Sequence, residues 1–503
     1  MKVLLVNFNI GSTPGINNGL AILSAVLKRK GCEVSLIFLC DELGYGLDLE
    51  RIRRDVISFS PNIIGLSLME TQLKYAVKFC DDLKNYYGGF VVCGGPYPTM
   101  DPEGCFSLRG LDAVCVGEGE DALLELASAL ESKKDYTAIR NLWFKLPGGA
   151  ILKNRLRPFK ELNDLPLEDK EIFDLGKILP LKNYQLEVML GRGCAYQCSY
   201  CINRSYMKIY EDLCEHPVTM RDYIRTKAVG TAIEEIKNSV LRHPEIRKLA
   251  FIDDNFLMYK NFLEEFCERY KNEIALPFMC NVNPLSYNAS KAKILRDAGC
   301  DDVRFGVESG SERIKKDVLN RPMSNRSVMD AFRINNELGL MTSSFNMIGL
   351  PTETKEEVLE TLRLNAGIMP DTVKVMTFYP FKSTPIYGLC EKLELIDYDK
   401  KFELDNYDTF TSLKFPAEHQ LFLKKIQSVF NWYLNLFMDN EASPEYAAAI
   451  KEAENMSEGD WDRFDYRTAD EKLSREMTKR GIPHYAKFVN RSLAVKFPSR
   501  RLN

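Results

Sequence analysis

The chain has 503 residues, 45% of them hydrophobic and 27% charged, which is the balance of a globular protein long enough for about two to four domains. Lysine plus arginine total 67 against 71 for aspartate plus glutamate, so the net charge of -4 gives no overall field for gripping a phosphate backbone and argues against a general nucleic-acid binder. No run approaches the roughly 18 apolar residues of a membrane span, and the apolar stretch after Lys2 ends at Val6, too short for a secretory core; the reading is a cytoplasmic protein without a membrane span. Fourteen cysteines in a chain of this size read as metal ligands or buried thiols and not as disulfides.

In residues 1–140, β-rich runs at 2–6, 33–38, 63–67, 90–93 and 112–116 alternate with amphipathic stretches that start near Asn17, Leu49, Thr71 and Asp121. This alternation predicts a doubly wound parallel sheet of the flavodoxin or Rossmann type, with its ligand edge at strand ends marked by Gly65, Gly94, Gly95, Gly117 and Gly119. Residues 141–184 read as a hairpin around Pro147-Gly148-Gly149 followed by a Pro- and Asp-bearing connector, the seam between two domains.

A second β/α series fills residues 185–395, with strands predicted at 186–190, 248–252, 278–281, 302–307, 343–348 and 373–378. Six strands and not eight predict a partial (β/α)6 TIM-like barrel, open on one side. Arg304, on the strand face opposite Phe305, is expected to line the barrel or pair with an acid. Residues 396–503 read as a helical domain that caps the barrel mouth. Its aromatics, Trp432, Tyr433, Trp461, Phe464 and Tyr466, either line a pocket or, by the more ordinary reading, pack helices. The last 30 residues hold eight lysines or arginines against Glu476 alone and read as a solvated basic tail.

Just past the first strand of the second series, Cys194, Cys198 and Cys201 stand in one short loop with spacings of four and three. Three soft, deprotonable ligands on one loop suit an iron-sulfur cubane and leave its fourth iron open. Structural zinc wants four protein ligands, and the nearest histidine, His216, is alone. Residues 202–222, with Tyr206, Tyr210 and His216, read as an extra loop near the cluster.

With that triplet, residues 186 to about 395 resemble a radical S-adenosylmethionine (SAM) domain. The resemblance implies a 4Fe-4S cluster whose open iron is chelated by SAM. It places Tyr200 near the adenine and Asp253 and Asp254, in Phe251-Ile252-Asp253-Asp254-Asn255-Phe256, near the methionine end. Glu308 and Ser309, in Gly306-Val307-Glu308-Ser309-Gly310, fall near the amino-acid or ribose portion, and Gly349 and Tyr379 follow the fifth and sixth strands, where backbone groups read adenine. By residue type alone, Asp253, Asp254 and Glu308 also suit helix caps or packing acids.

Residues 1 to about 131 resemble the cobalamin-binding domain of cobalamin-dependent radical SAM enzymes, the class B methyltransferases among them. The matching segments are Pro61 to Ser67, Val92 to Thr99 and Val114 to Glu120. They imply that Gly65, Ser67, Gly94, Gly95, Pro96, Gly117, Glu118 and Gly119 surround a corrin and its nucleotide tail, where close backbone approach needs small residues. None of the four histidines, His216, His243, His419 and His484, lies in this domain, so cobalamin would be held without a histidine lower ligand, unless the domain has lost it. A rival resemblance, to methylthiotransferases with a second cluster, would use Cys40, Cys80 and Cys115. That family needs its first cysteine just after the first strand, where this chain has Asn7-Phe8-Asn9-Ile10-Gly11, and Cys93 and Cys115 read as small buried hydrophobes.

The function so implied is methylation of an unactivated carbon, or of phosphorus, through a 5′-deoxyadenosyl radical and methylcobalamin, with electrons from a flavodoxin- or ferredoxin-type donor. The same architecture implies radical rearrangement, cyclisation or ring contraction as alternatives, and a non-catalytic corrin or cluster sensor as one of another class. A small molecule, a lipid and a peptide all remain open as substrate, and the sequence singles out no catalytic side chain.

Overall fold

The computed structural model describes residues 1–259, 261–407, 410–490 and 492–499. The first sheet begins with β1 (Lys2–Phe8), β2 (Glu33–Leu39), β3 (Ile63–Ser67), β4 (Phe90–Gly94) and β5 (Ala113–Cys115), all parallel, in the order β2-β1-β3-β4-β5. The five strands lie where the alternation placed them. β1 is an inner strand, and its Val3, Leu4, Leu5 and Val6 are buried, as a strand covered by helices on both faces must be. The strand order reverses between β1 and β3, and the crevice beyond their carboxyl ends is the natural ligand edge of such a sheet.

The hairpin expected at the seam joins this sheet instead. β6 (Leu142–Lys145) pairs antiparallel with β5, and β7 (Ile151–Lys153) with β6. An isolated hairpin is marginal in water, and pairing here buries Trp143 and Phe144 while covering the β5 edge. The connector that follows is packed. Phe173, Leu175, Ile178 and Leu179 join one hydrophobic cluster that runs from the first sheet into the second, and Phe173 meets Phe38 edge to face at 5.6 Å. Beneath it, Lys227 binds Glu168 at 2.9 Å and Glu235 at 2.7 Å, and Lys170 bonds to the same two carboxylates, so four buried charges are mutually satisfied.

The second sheet starts at β8 (Gln185–Val188). A two-stranded ribbon of β9 (Gly191–Arg192) and β10 (Arg225–Thr226) stands apart from it, and β11 (Lys248–Phe251), β12 (Phe278–Val282), β13 (Cys300–Glu308), β14 (Met341–Ile348) and β15 (Thr372–Thr377) complete the six parallel strands of a partial barrel. On β13 the period of two sends Val303, Phe305 and Val307 into the helical layer. It leaves Asp302, Arg304, Gly306 and Glu308 on the other face, where Arg304 lies 3.7 Å from Asp302.

The described part of the basic C-terminal end is not a free tail, while residues 491 and 500–503 lie outside the described residues. β16 (His484–Ala486) and β17 (Leu493–Phe497) add antiparallel strands, β17 on β15 and β16 on β17, covering an edge that would otherwise expose unpaired backbone groups. The helix Ala417–Phe437 packs on the helix Lys355–Ile368 and on β15, outside the barrel. The C-terminal aromatics therefore form a helix-packing core, with Trp432 1% exposed and Trp461 stacked on Tyr466 at 6.0 Å. Within this region, residues 398–407 reach the first domain. Asp405 accepts from Tyr75 at 2.6 Å and pairs with Lys74 at 2.9 Å, Asn406 donates to the Gly11 carbonyl at 3.3 Å, and Lys401 pairs with Glu70. No helix among the described residues is long and apolar enough to cross a membrane.

Asp470 holds the C-terminal region together by accepting from Asn431 Nδ2 at 2.5 Å, Trp432 Nε1 at 2.9 Å and the backbone N–H groups of Lys487 and Phe488 at 2.7 and 2.9 Å. Asp470→Ala leaves these donors buried without an acceptor and is expected to destabilise this region by about 3 kcal/mol. Urea unfolding followed by tryptophan fluorescence reads this, and an unchanged midpoint would contradict it.

Candidate functional site

The carboxyl edge of the first sheet faces the start of the barrel across a cavity of about 520 Å³. All eight corrin candidates, Gly65, Ser67, Gly94, Gly95, Pro96, Gly117, Glu118 and Gly119, line it. At the strand-order reversal, Asn17 caps the helix Asn18–Arg29 by accepting from the Leu20 N–H at 3.1 Å, and its amide donates to Asn7 Oδ1 at 3.1 Å and Ser67 Oγ at 3.0 Å. Two of the glycines are required by geometry. Gly95 has φ +106° with the Leu68 backbone 3.2 Å from where a Cβ would stand, and Gly117 has φ +82° with the Tyr210 hydroxyl 2.4 Å from its Cβ position. Glu118 lines the cavity with its carboxylate paired to Arg192 and Arg225, which line it too. Burial would raise this carboxyl, yet the two guanidinium groups hold it down at about 2. Among the described residues, no histidine lines the cavity.

The opposite wall comes from around the cysteine loop, with Gly191, Arg192, Gly193, Asn203, Tyr206 and Asp254 among its residues. Cys194, Cys198 and Cys201 follow β9, and Cys201 is the N-cap of the helix Ile202–Leu213. The loop expected after Cys201 is therefore a helix whose positive end faces the cysteines. Arg321 Nη1 donates to Cys198 Sγ at 3.6 Å, and Asn203 Nδ2 to Cys201 Sγ at 3.5 Å. Ser199 anchors the loop to the barrel through the Leu319 carbonyl at 2.9 Å and the Val318 carbonyl at 2.5 Å. Among the described residues no three candidate ligands converge tightly enough for a single ion. A cubane, whose ligated irons occupy separate corners, suits three thiols in one loop with N–H donors on two of the sulfurs.

Residues 188–364 match the Radical SAM superfamily and residues 10–127 the B12 binding domain. The chain carries a radical SAM domain with a B12-binding domain ahead of it. An uncharacterized methyltransferase of Pyrococcus horikoshii is 26% identical over 86% of this chain and 93% of its own length. Two solved structures share the fold. The cobalamin-dependent S-adenosylmethionine radical enzyme OxsB is 18% identical with a TM-score of 0.68, covering 96% of this chain and 75% of that one. The radical S-adenosylmethionine methyltransferase TsrM from Kitasatospora setae is 17% identical with a TM-score of 0.62, covering 78% and 76%.

Within this radical SAM fold the seven SAM candidates separate. Asp254 faces the cavity, with burial raising its carboxyl and Asn203 hydrogen-bonded to it. Tyr200 and Glu308 meet beside Arg321, whose Nη2 donates to the Gly306 carbonyl at 2.7 Å. Glu308 holds φ +68°, a left-handed conformation costly for a side-chain-bearing residue and typical of sites where position matters. Ser309 is instead fully buried in a turn, accepting from the Ser311 N–H at 3.2 Å. Gly349 donates its N–H to Glu353 at 2.7 Å, and Tyr379 is buried under Lys401 and against Tyr407. Asp253 lies outside the cavity. Its carboxylate accepts from the amides of Leu190 at 3.2 Å and Gly191 at 2.8 Å and from the Tyr259 hydroxyl at 2.7 Å, so it shapes the approach to the cysteine loop.

Arg192, Arg225, Asn203 and Arg321 were not singled out by sequence reasoning. Arg192, two residues before Cys194, and Asn203, two residues after Cys201, stand close enough to the cysteine motif to be found from it. Tyr206 lines the cavity and stacks on Tyr210 at 5.6 Å, while His216 is exposed at the surface. Of the cysteines weighed for a second cluster, Cys115 reaches the cavity wall, whereas Cys40 accepts from Asn9 at 3.6 Å and Cys80 is buried in the apolar core. A side pocket of about 210 Å³, lined by Tyr97, Met100, Tyr200 and Phe381, shares Met69, Pro96 and Ile202 with the main cavity.

Burial pushes the Asp253 carboxyl up to about 6 from 3.8, so protonation is favoured in the folded protein. The stability that this group gives at low pH is lost as pH rises through about 6. Asp253→Asn is expected to remove that part of the pH dependence in thermal unfolding while keeping an acceptor for the loop amides. Asp253→Ala leaves them unpaired and is expected to lower the iron retained after reconstitution by about half.

Proposed function

We propose that this radical SAM enzyme methylates an unactivated carbon, or a phosphorus, of a small-molecule, lipid or peptide substrate, using cobalamin held without a histidine lower ligand. The observation that carries this reading is that one cavity is walled on one side by the glycine-bearing ends of the first sheet and on the other by the residues flanking the cysteine triplet. The Pyrococcus horikoshii methyltransferase and TsrM, both named as methyltransferases, support the same outcome.

When bound, the cluster, SAM and cobalamin supply an electron, a hydrogen-abstracting radical and a methyl group. The protein's part is to hold, orient and keep dry. Cys194, Cys198 and Cys201 would hold the cluster, with Arg321 and Asn203 donating to two of their sulfurs. Asp254 presents a carboxyl group to the cavity, suited to an ammonium, and the Glu308 carboxyl lies beside Tyr200. Backbone groups at Gly94, Gly95, Gly117 and Gly119, with Ser67 and Asn17, would take the corrin side. Met189, Ile202, Tyr206 and Ile252 make the space between them largely apolar, which excludes water from reactive intermediates. Radical SAM enzymes need an electron donor, and a flavodoxin or ferredoxin type fits this chemistry.

Anaerobic reconstitution with hydroxocobalamin, then iron and corrin analysis on one sample, tests the reading. About four irons and one corrin per chain, with a product heavier by one methylene unit, are expected. Four irons without corrin would overturn the cobalamin assignment, and a turnover product of unchanged carbon count would overturn methylation. Cys198→Ala is expected to abolish cluster absorbance and reductive SAM cleavage together. Glu308→Gln is expected to weaken SAM binding about ten-fold with iron content unchanged. The electron paramagnetic resonance of bound cob(II)alamin should be the same in unlabelled and 15N-histidine-labelled protein, and a change in nitrogen splitting would reveal a histidine ligand.

A further inference from the structure

Four charged side chains are linked in one ion-pair network across the domain interface, in the order Glu120–Arg192–Glu118–Arg225, at the wall of the main cavity. Glu118 Oε1 accepts from Arg192 Nη1 at 2.8 Å and Arg225 Nη2 at 2.7 Å, and Glu118 Oε2 accepts from Arg225 Nη1 at 3.1 Å and the Lys160 amide at 2.9 Å. Glu120 Oε1 accepts from Arg192 Nη2 at 2.6 Å. The side chains of Glu118, Glu120, Arg192 and Arg225 are only 11%, 5%, 21% and 7% exposed. Arg225 also donates to the Lys160 carbonyl at 2.5 Å and lies over the Phe159 ring at 4.8 Å. Two acids and two bases thus cancel out of water, and loss of any one strands a partner at a cost well above that of a surface pair.

The positions of these residues along the chain give the network its meaning. Glu118 sits between Gly117 and Gly119, whose backbones line the cavity on the corrin side. Arg192 is two residues before Cys194 and is the direct ribbon partner of Arg225. The other end of the cysteine loop is tied to the same place by an independent contact. Tyr210, on the helix that Cys201 caps, accepts from the Glu118 N–H at 2.9 Å and fills the space beside Gly117. The cysteine loop is therefore tied at both ends to residues 117–119.

We infer that this ion-pair network couples the two cofactor sites, so that filling the corrin site tightens the cysteine loop's hold on its cluster and the cluster tightens corrin binding, with Glu118 and Arg192 as positioning residues. The inference rests on the cobalamin reading above and extends it to regulation of assembly. A ligand that orders residues 117–119 has already borne part of the ordering cost of the cysteine loop, and linkage makes the effect on affinity equal in both directions.

The test uses the full chain under anaerobic conditions, with hydroxocobalamin as probe. Its Kd is measured by ultrafiltration before and after cluster reconstitution, and iron loss to a chelator is timed with and without the corrin. In the unaltered protein, cobalamin is expected to bind at least about five-fold more tightly once the cluster is present, and to slow iron loss. In Arg192→Met and Glu118→Gln the affinity ratio should fall towards one, whatever the affinity for either cofactor alone. Tyr210→Phe removes one hydroxyl from a side chain that stays packed, and it should lower the ratio without affecting folding, which keeps the test open if the charge variants misfold. Corrin binding that is indifferent to the cluster, or variants with an unchanged ratio, would overturn the coupling alone. No corrin binding in either state would overturn the cobalamin reading and the coupling with it.

Discussion

A carboxylate taken out of water between two domains must be met there by positive charge, and Glu118 is met by two guanidinium groups. This constraint sets how the two halves of the molecule face one another. Arg192 and Arg225 are adjacent on a short ribbon immediately before the cysteine loop, so their pairing with Glu118 and Glu120 brings that loop to the ligand edge of the first sheet. The main cavity is the space enclosed by this approach.

Both sheets obey the same rule for parallel strands, that ligands gather at the carboxyl ends. In the first sheet the reversal of strand order opens the crevice, and Asn7, Asn17 and Ser67 furnish it with polar groups. In the second, the cysteine loop follows the first barrel strand and Glu308 ends the fourth. Opposing these two edges gives one enclosed volume in which cofactors bound to different domains can act on a common substrate. The packed connector, with Phe173 and the Glu168, Lys170, Lys227 and Glu235 network, makes the arrangement a property of the whole chain and not of a flexible tether.

Several acids that looked alike in the sequence separate once the fold is formed. Asp253 and Asp254 are neighbours, yet one turns inward to hold backbone amides and a tyrosine while the other faces the cavity. Ser309 and Gly349 are likewise engaged with protein partners, whereas Glu308 meets Tyr200 and Arg321. Adjacent residues at a strand end diverge because the chain leaves its alternating pattern there, and the direction of each side chain then depends on the turn that follows.

By itself, the sequence determined the alternation of strands and helices in both units, the partial barrel, the cysteine loop and the glycines of the first sheet. These are local signals, written in periodicity of two and in residue types that serve a single purpose. Tertiary structure decided what depends on partners remote along the chain. The hairpin at residues 142–153 joined the first sheet because β5 had an open edge, and the basic end became β16 and β17 because β15 had one. The roles of Arg192, Arg225 and Arg321 were decided in the same way, since a guanidinium group gives no sign in sequence of the carboxylate or sulfur it will meet, and Arg321 reaches Cys198 across 123 residues of chain.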